Sequence, residues 1–140
     1  MMQQTVSPGK WDTRRQEKRN RISRTKLAGK VLPSGDLPAM LEKLIAPGDR
    51  VVLEGNNQKQ ADFLARMLAQ TDPGKLHDLH MNMPSVSLPE HLDLFEKGIA
   101  RKIDFSYSGA QSLRMSQLLE DGLLEVAFTM GASSVASSTF

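Results

Sequence analysis

The chain has 140 residues, no cysteine, 39% hydrophobic and 5% aromatic residues, and a formal charge of +2. That length allows one small domain with a core, and the missing cysteines exclude disulfides, thiolate metal sites and a cysteine nucleophile. No apolar run approaches the length of a membrane span and no apolar h-region opens the chain, so a cytoplasmic protein without a membrane partner is expected.

The charge is unevenly placed. Residues 1–30 carry a net +7 and the remainder a net −5, so a basic arm is joined to an acidic body. Such asymmetry raises nucleic acid as a partner. A solvated or subunit-docking arm is the preferred reading, because the arm lacks the interleaved aromatics of a stacking platform. Thr13 to Lys26 can be helical but would bury little alone, and Trp11 is available to hold the arm against another surface.

Pro33-Ser-Gly-Asp-Leu-Pro38 reads as a turn. Asp36 can cap a short helix with Pro38 in its first turn, and Leu41, Leu44 and Ile45 supply its apolar stripe. Pro47-Gly48-Asp49 stops it. Arg50–Glu54 follows as a strand, with Val51, Val52 and Leu53 as a short β-rich run. Gly55, Asn56, Asn57 and Gln58 form a tight polar turn, and Ala61, Leu64, Ala65 and Leu68 recur at helical spacing as far as Gln70. Leu76–Met83 alternates as a second strand, with Leu79, Met81 and Met83 on one face. Ser87-Leu-Pro-Glu90 matches a capping box for a helix from His91 to Lys97, closed by Gly98. Ile103–Tyr107 is a third strand, Ser108-Gly109 a second tight turn, Ala110–Glu120 a helix, and Leu123–Phe128 the start of a fourth strand.

This alternation predicts an α/β fold with parallel strands and crossover helices. The domain organisation expected is a basic arm over 1–30, an α/β domain over 31–128 that ends before a covering helix, and a small-residue tail over 129–140. The turns after the strands would then share one rim, where ligands of such sheets usually bind. Gly55, Asn56, Asn57 and Gln58 offer backbone N–H groups at a helix start, suited to an anion, a phosphate or a thioester oxygen. Ser108 and Gly109 repeat that arrangement. The plain alternatives are a turn with Asn chosen for backbone angle and a serine cap. Glu54 closes the first strand and could be a tuned carboxylate, although a solvated strand end is the simpler reading. His77 and His80 would fall on opposite faces of a strand, which spoils them as a metal pair, and no metal site is expected.

Several stretches together carry a resemblance. They are Trp11-Asp-Thr-Arg-Arg15, Lys30-Val-Leu-Pro33, Ile45-Ala-Pro-Gly-Asp-Arg-Val-Val-Leu-Glu-Gly55, Asn57-Gln-Lys-Gln-Ala-Asp-Phe-Leu64 and His77-Asp-Leu-His-Met81. Ser85-Val-Ser87, Pro89-Glu-His-Leu-Asp-Leu-Phe95, Gly98-Ile-Ala-Arg101 and Gln111-Ser-Leu-Arg114 continue them. From about Trp11 to about Glu125 the chain resembles the amino-terminal part of the malonate decarboxylase alpha subunit. The resemblance implies a partial CoA-transferase-like (Rossmann-like) domain. It implies an acyl-carrier-protein transferase that exchanges acetyl for malonyl on the carrier thioester, through a mixed-anhydride stage. The implied partners are the acyl carrier protein with its phosphoribosyl-dephospho-CoA prosthetic group, the beta and gamma decarboxylase subunits, malonate and acetate. No cofactor bound directly to this chain is implied. The family's subunit is several times longer, and the tail after Glu125 departs from it as a frameshift or premature end would. The catalytic carboxylate is therefore expected outside these residues, and the 140-residue chain alone is expected to be inactive and to fold poorly. The alternative function is a non-catalytic subunit-docking or nucleic-acid-binding module using the basic arm.

Overall fold

The computed structural model describes residues 9–25, 31–54, 61–106 and 108–129. Helix α1 (Lys10–Arg24) and helix α2 (Leu37–Leu44) precede strand β1 (Arg50–Val52). Helix α3 (Asp62–Leu68), strand β2 (Leu79–Asn82), helix α4 (Pro89–Glu96), strand β3 (Ala100–Phe105), helix α5 (Ser112–Glu120) and strand β4 (Glu125–Thr129) follow in turn. The expected alternation is present, but β1 and β2 are shorter than their apolar runs, β3 begins three residues before the expected Ile103, and β4 begins two residues after the expected Leu123.

The four strands are all parallel and lie in the order β1-β2-β3-β4. Successive crossovers of one hand in that order put their helices on one face. The packing agrees, since α2 meets α3, α3 meets α4 and α4 meets α5. Val51, Met81, Ile103 and Val126 are register partners on the helix-covered face. Arg50, His80, Lys102 and Glu125 are register partners one residue earlier, so they share the opposite, polar face.

The core sits between the sheet and α3–α5. Leu79 and Met81 of β2 and Met83 just beyond its end alternate inward and are fully buried, as their spacing predicted. Ala65 and Leu68 from α3, Leu92, Leu94 and Phe95 from α4, and Met115 and Leu118 from α5 pack against them. Gly98 closes α4 at φ +74°, a conformation that glycine adopts without the penalty a Cβ would bring.

Helix α1 buries none of its residues, so packing alone does not hold it. Arg21 ties it down instead. Its Nη2 lies 2.6 Å from Asp49 Oδ2, and its Nε donates to the Leu44 carbonyl at the end of α2, at 3.2 Å. Asp49 Oδ2 also accepts from the Ala46 N–H at 3.0 Å. The loop before β1 is thereby stapled to the arm. Among the described residues no helix is long and apolar enough to cross a membrane.

Candidate functional site

The carboxyl ends of the strands are laced together beyond the regular sheet. Leu53 N–H donates to Asn82 O and Met83 N–H to Asp104 O, each at 3.0 Å, and Ser106 N–H donates to Pro84 O at 3.1 Å. These bonds bring the segments after β1, β2 and β3 side by side, as the parallel topology predicted. Glu54 stands exposed at the β1 end of this rim. Gly55, Asn56, Asn57 and Gln58 lie outside the described residues.

The segment after β3 carries Ser108 and Gly109. Ser108 precedes a single 3₁₀ turn, Gly109–Gln111, that leads into α5, and its side chain makes no capping bond. Its hydroxyl pairs with Ser112 Oγ at 3.1 Å, while Ser112 donates to Gly109 O at 2.6 Å. Gly109 has φ +46°, within the left-handed region. The simple cap therefore does not form. The turn is held by a serine–serine contact, and the α-helix begins later than Ala110.

The segment after β2 departs further from expectation. The Ser87–Glu90 capping box does not form. Leu88 occupies the cap position with extended backbone, and α4 starts at Pro89. Proline is preorganised for the first helical position, and that choice moves Glu90 one place too early to reach back. Glu90 Oε1 instead lies 3.4 Å from Arg66 Nη1 on α3. The Ser87 hydroxyl is left buried without a partner, and so is that of Ser85. The first turn of α4 then carries His91, 1% exposed, with neither ring nitrogen hydrogen-bonded. Burial pushes its pKa down from the ordinary value, against smaller upward pulls from Glu90 and Asp62. Sequence reasoning gave His91 no role. The signal was present, because Leu94 and Phe95 at three and four residues along place His91 on the core-facing stripe.

A second histidine proves less ordinary than its strand position suggested. His80 Nε2 lies 2.9 Å from Asp104 Oδ1 on the polar face, with side chains 17% and 10% exposed. That separation suits an ion pair when the ring is protonated, but the alignment is too poor for a hydrogen bond. On its other side, His80 Nδ1 is 3.4 Å from Arg50 Nη2. His77 sits before β2 and contacts Asp78 at 2.8 Å.

The rim thus combines the start of α4, a left-handed glycine turn and serine hydroxyls at the carboxyl ends of parallel strands. Such an edge can bind a carbonyl or carboxylate oxygen through N–H and O–H donors. Orphaned buried hydroxyls and a neutral buried imidazole are costly in an ordinary core.

Comparison with known proteins fits this architecture. A family model described as "Malonate decarboxylase, alpha subunit, transporter" matches residues 10–132, continuing past Glu125, where the recognisable stretches end. The chain is 46% identical over 119 residues to an acetyl-S-ACP:malonate ACP transferase of Malonomonas rubra, a match over 83% of this chain and 22% of that protein. It superposes with TM-score 0.80 and 69% identity on a chain of a Pseudomonas malonate decarboxylase hetero-tetramer in complex with malonate, covering 87% of this chain and 23% of that one. For the malonate decarboxylase alpha subunit of Acinetobacter baumannii the TM-score is 0.78 and the identity 62%, over 85% of this chain and 22% of that one. The chain therefore spans less than a quarter of the length of these relatives. With a family model matched over most of its length and a shared parallel sheet, this chain belongs to the malonate decarboxylase alpha-subunit family.

Proposed function

We propose that this chain contributes the amino-terminal α/β portion of an acyl-carrier-protein transferase that exchanges acetyl for malonyl on a carrier thioester. The 46% identity over 119 residues to an acetyl-S-ACP:malonate ACP transferase carries this reading. The carrier's phosphoribosyl-dephospho-CoA arm would supply the thiol on which the acyl groups are exchanged, with malonate as the incoming acid and acetate as the leaving one. The beta and gamma decarboxylase subunits would act on the malonyl-carrier that results. A cytoplasmic location follows from that chemistry.

This chain's own task lies at the rim. Exchange at a thioester builds negative charge on the carbonyl oxygen, and donors already fixed in place stabilise it best. Gly55, Asn56, Asn57 and Gln58, with Ser108 and Gly109, are the groups proposed to bind the thioester or the incoming carboxylate. The Ser108–Ser112–Gly109 contacts support this by fixing one such turn. The catalytic carboxylate is left to the remainder of the full-length subunit. Nucleic-acid-binding and subunit-docking modules built on the arm gain no support from the relatives.

The test is a chimera. The matching segment of the Malonomonas rubra transferase is replaced by residues 10–132, and acetyl–malonyl exchange on the carrier is measured. Retained exchange that falls when Ser108 and Gly109 are both changed to Val supports the reading. A folded chimera without exchange refutes it.

A further inference from the structure

A basic surface lies at the amino ends of β1 and β2, away from the rim. Along one face of α1, Trp11, Arg14, Arg15, Lys18 and Ile22 recur at helical spacing. This face walls one side of a cleft of about 520 Å³, and Asp49, Arg50 and His80 line the other side. That volume suits a small-molecule site.

The charges in the cleft do not balance. Its carboxylate, Asp49, is already taken up by Arg21 and by the Ala46 N–H, with Lys18 Nζ 3.8 Å from its other oxygen. Arg14, Arg15 and Arg19 make no ion pair or hydrogen bond among the described residues. Like charges on neighbouring helical positions repel, so this surface carries a repulsion that an anion would relieve. Three of the four α1 cations that line the cleft, and Arg50 on the facing wall, are arginines, whose planar forks match phosphate oxygens in pairs. At one end stands Trp11, 79% exposed, with a flat ring free to stack.

We propose that this cleft binds a nucleotide with two or more phosphates. The phosphates lie between Arg14, Arg15, Lys18 and Arg50, and the base stacks on Trp11. A single aromatic platform between two walls suits one nucleotide. A strand of nucleic acid would need successive platforms along an open groove. The site lies at the end of the strands opposite the rim, so it stands or falls independently of the transferase reading.

Trp11 is the sole tryptophan of the chain, so its fluorescence reads the site directly. The full 140-residue chain is titrated with ADP, inorganic pyrophosphate and adenosine at low salt, with folding followed by circular dichroism. The expected result is saturable quenching by ADP, with binding about tenfold or more tighter than either part alone. The Arg14→Ala/Arg15→Ala double variant and, separately, Arg50→Gln on the facing wall should each weaken ADP about tenfold while keeping the native spectrum. The proposal is overturned if ADP gives no saturable change at millimolar concentration, or if folded Arg50→Gln binds as the parent does. It is also overturned if a short DNA duplex binds more tightly than ADP with a steep salt dependence, which would mark a phosphate-backbone surface.

Discussion

His91 offers the sharpest test of how this core is built. It is 1% exposed and neither ring nitrogen has a partner, so the neutral imidazole buries one donor and one acceptor unpaired. Each such group costs about 1–3 kcal/mol. Burial also lowers its folded pKa, so the folded chain takes up this proton less readily than the unfolded chain. Near neutral pH and above, both states hold the ring neutral and the contribution is constant. As pH falls through the unfolded value of about 6.5, the unfolded state binds more protons and stability drops. His91→Leu removes both unpaired groups and this titration, and keeps an apolar side chain on the core stripe. Removing both is worth about 2–6 kcal/mol, and imperfect repacking of the differently shaped side chain offsets about 1–3 kcal/mol, so a net gain of about 1–3 kcal/mol is expected at neutral pH, with a larger gain near pH ~5. Urea unfolding of parent and variant from pH ~5 to ~8 reads both effects. Glu42, Asp62 and Glu125 titrate below this window, because the Asp72 N–H, Arg66 and Arg101 respectively hold their pKa values down. The reasoning fails if the variant is less stable by about 1 kcal/mol or more, or if the parent-minus-variant difference is flat with pH.

Arg114 joins α5 to α4, reaching Asp93 at 2.6 Å, Glu96 at 2.8 Å and the Pro89 carbonyl at 2.9 Å. Its carboxylate partners are partly solvated, so Arg114→Ala should cost about 1–2 kcal/mol in a urea titration, with Arg114→Lys recovering only part. Gly98→Ala meets no atom within 4 Å but keeps φ +74°, so a loss of about 1 kcal/mol from backbone strain alone is expected, read as a lower thermal midpoint. Ser87→Ala should be neutral or stabilising by thermal unfolding, because the Ser87 hydroxyl is buried without a partner. A loss of about 1 kcal/mol would instead restore the capping box.

The order of strands and helices is legible in the sequence, because it rests on periodicities local to each segment. Leu79, Met81 and Met83 alternate in the sequence, and they are buried along β2 and just past its end. Gly98 marked the end of α4, and the wording from Trp11 to Glu125 marked the family. The proposed ligand turn at Gly55–Gln58 remains outside the described residues, and Ser108 is placed on the rim without the cap its position suggested.

What the chain could not state locally is who meets whom. Pro89 displaced the Ser87 cap by one position, a competition between two adjacent start signals that only the folded backbone resolves. The approach of His80 to Asp104 depends on the register of β2 against β3, and the Arg21–Asp49 tie depends on where α1 docks. Periodicity fixes the face on which a side chain points, because it repeats with the backbone of its own element. Partnership arises between segments distant in sequence, so strand order, the unpaired His91 and the basic cleft were decided only by tertiary packing.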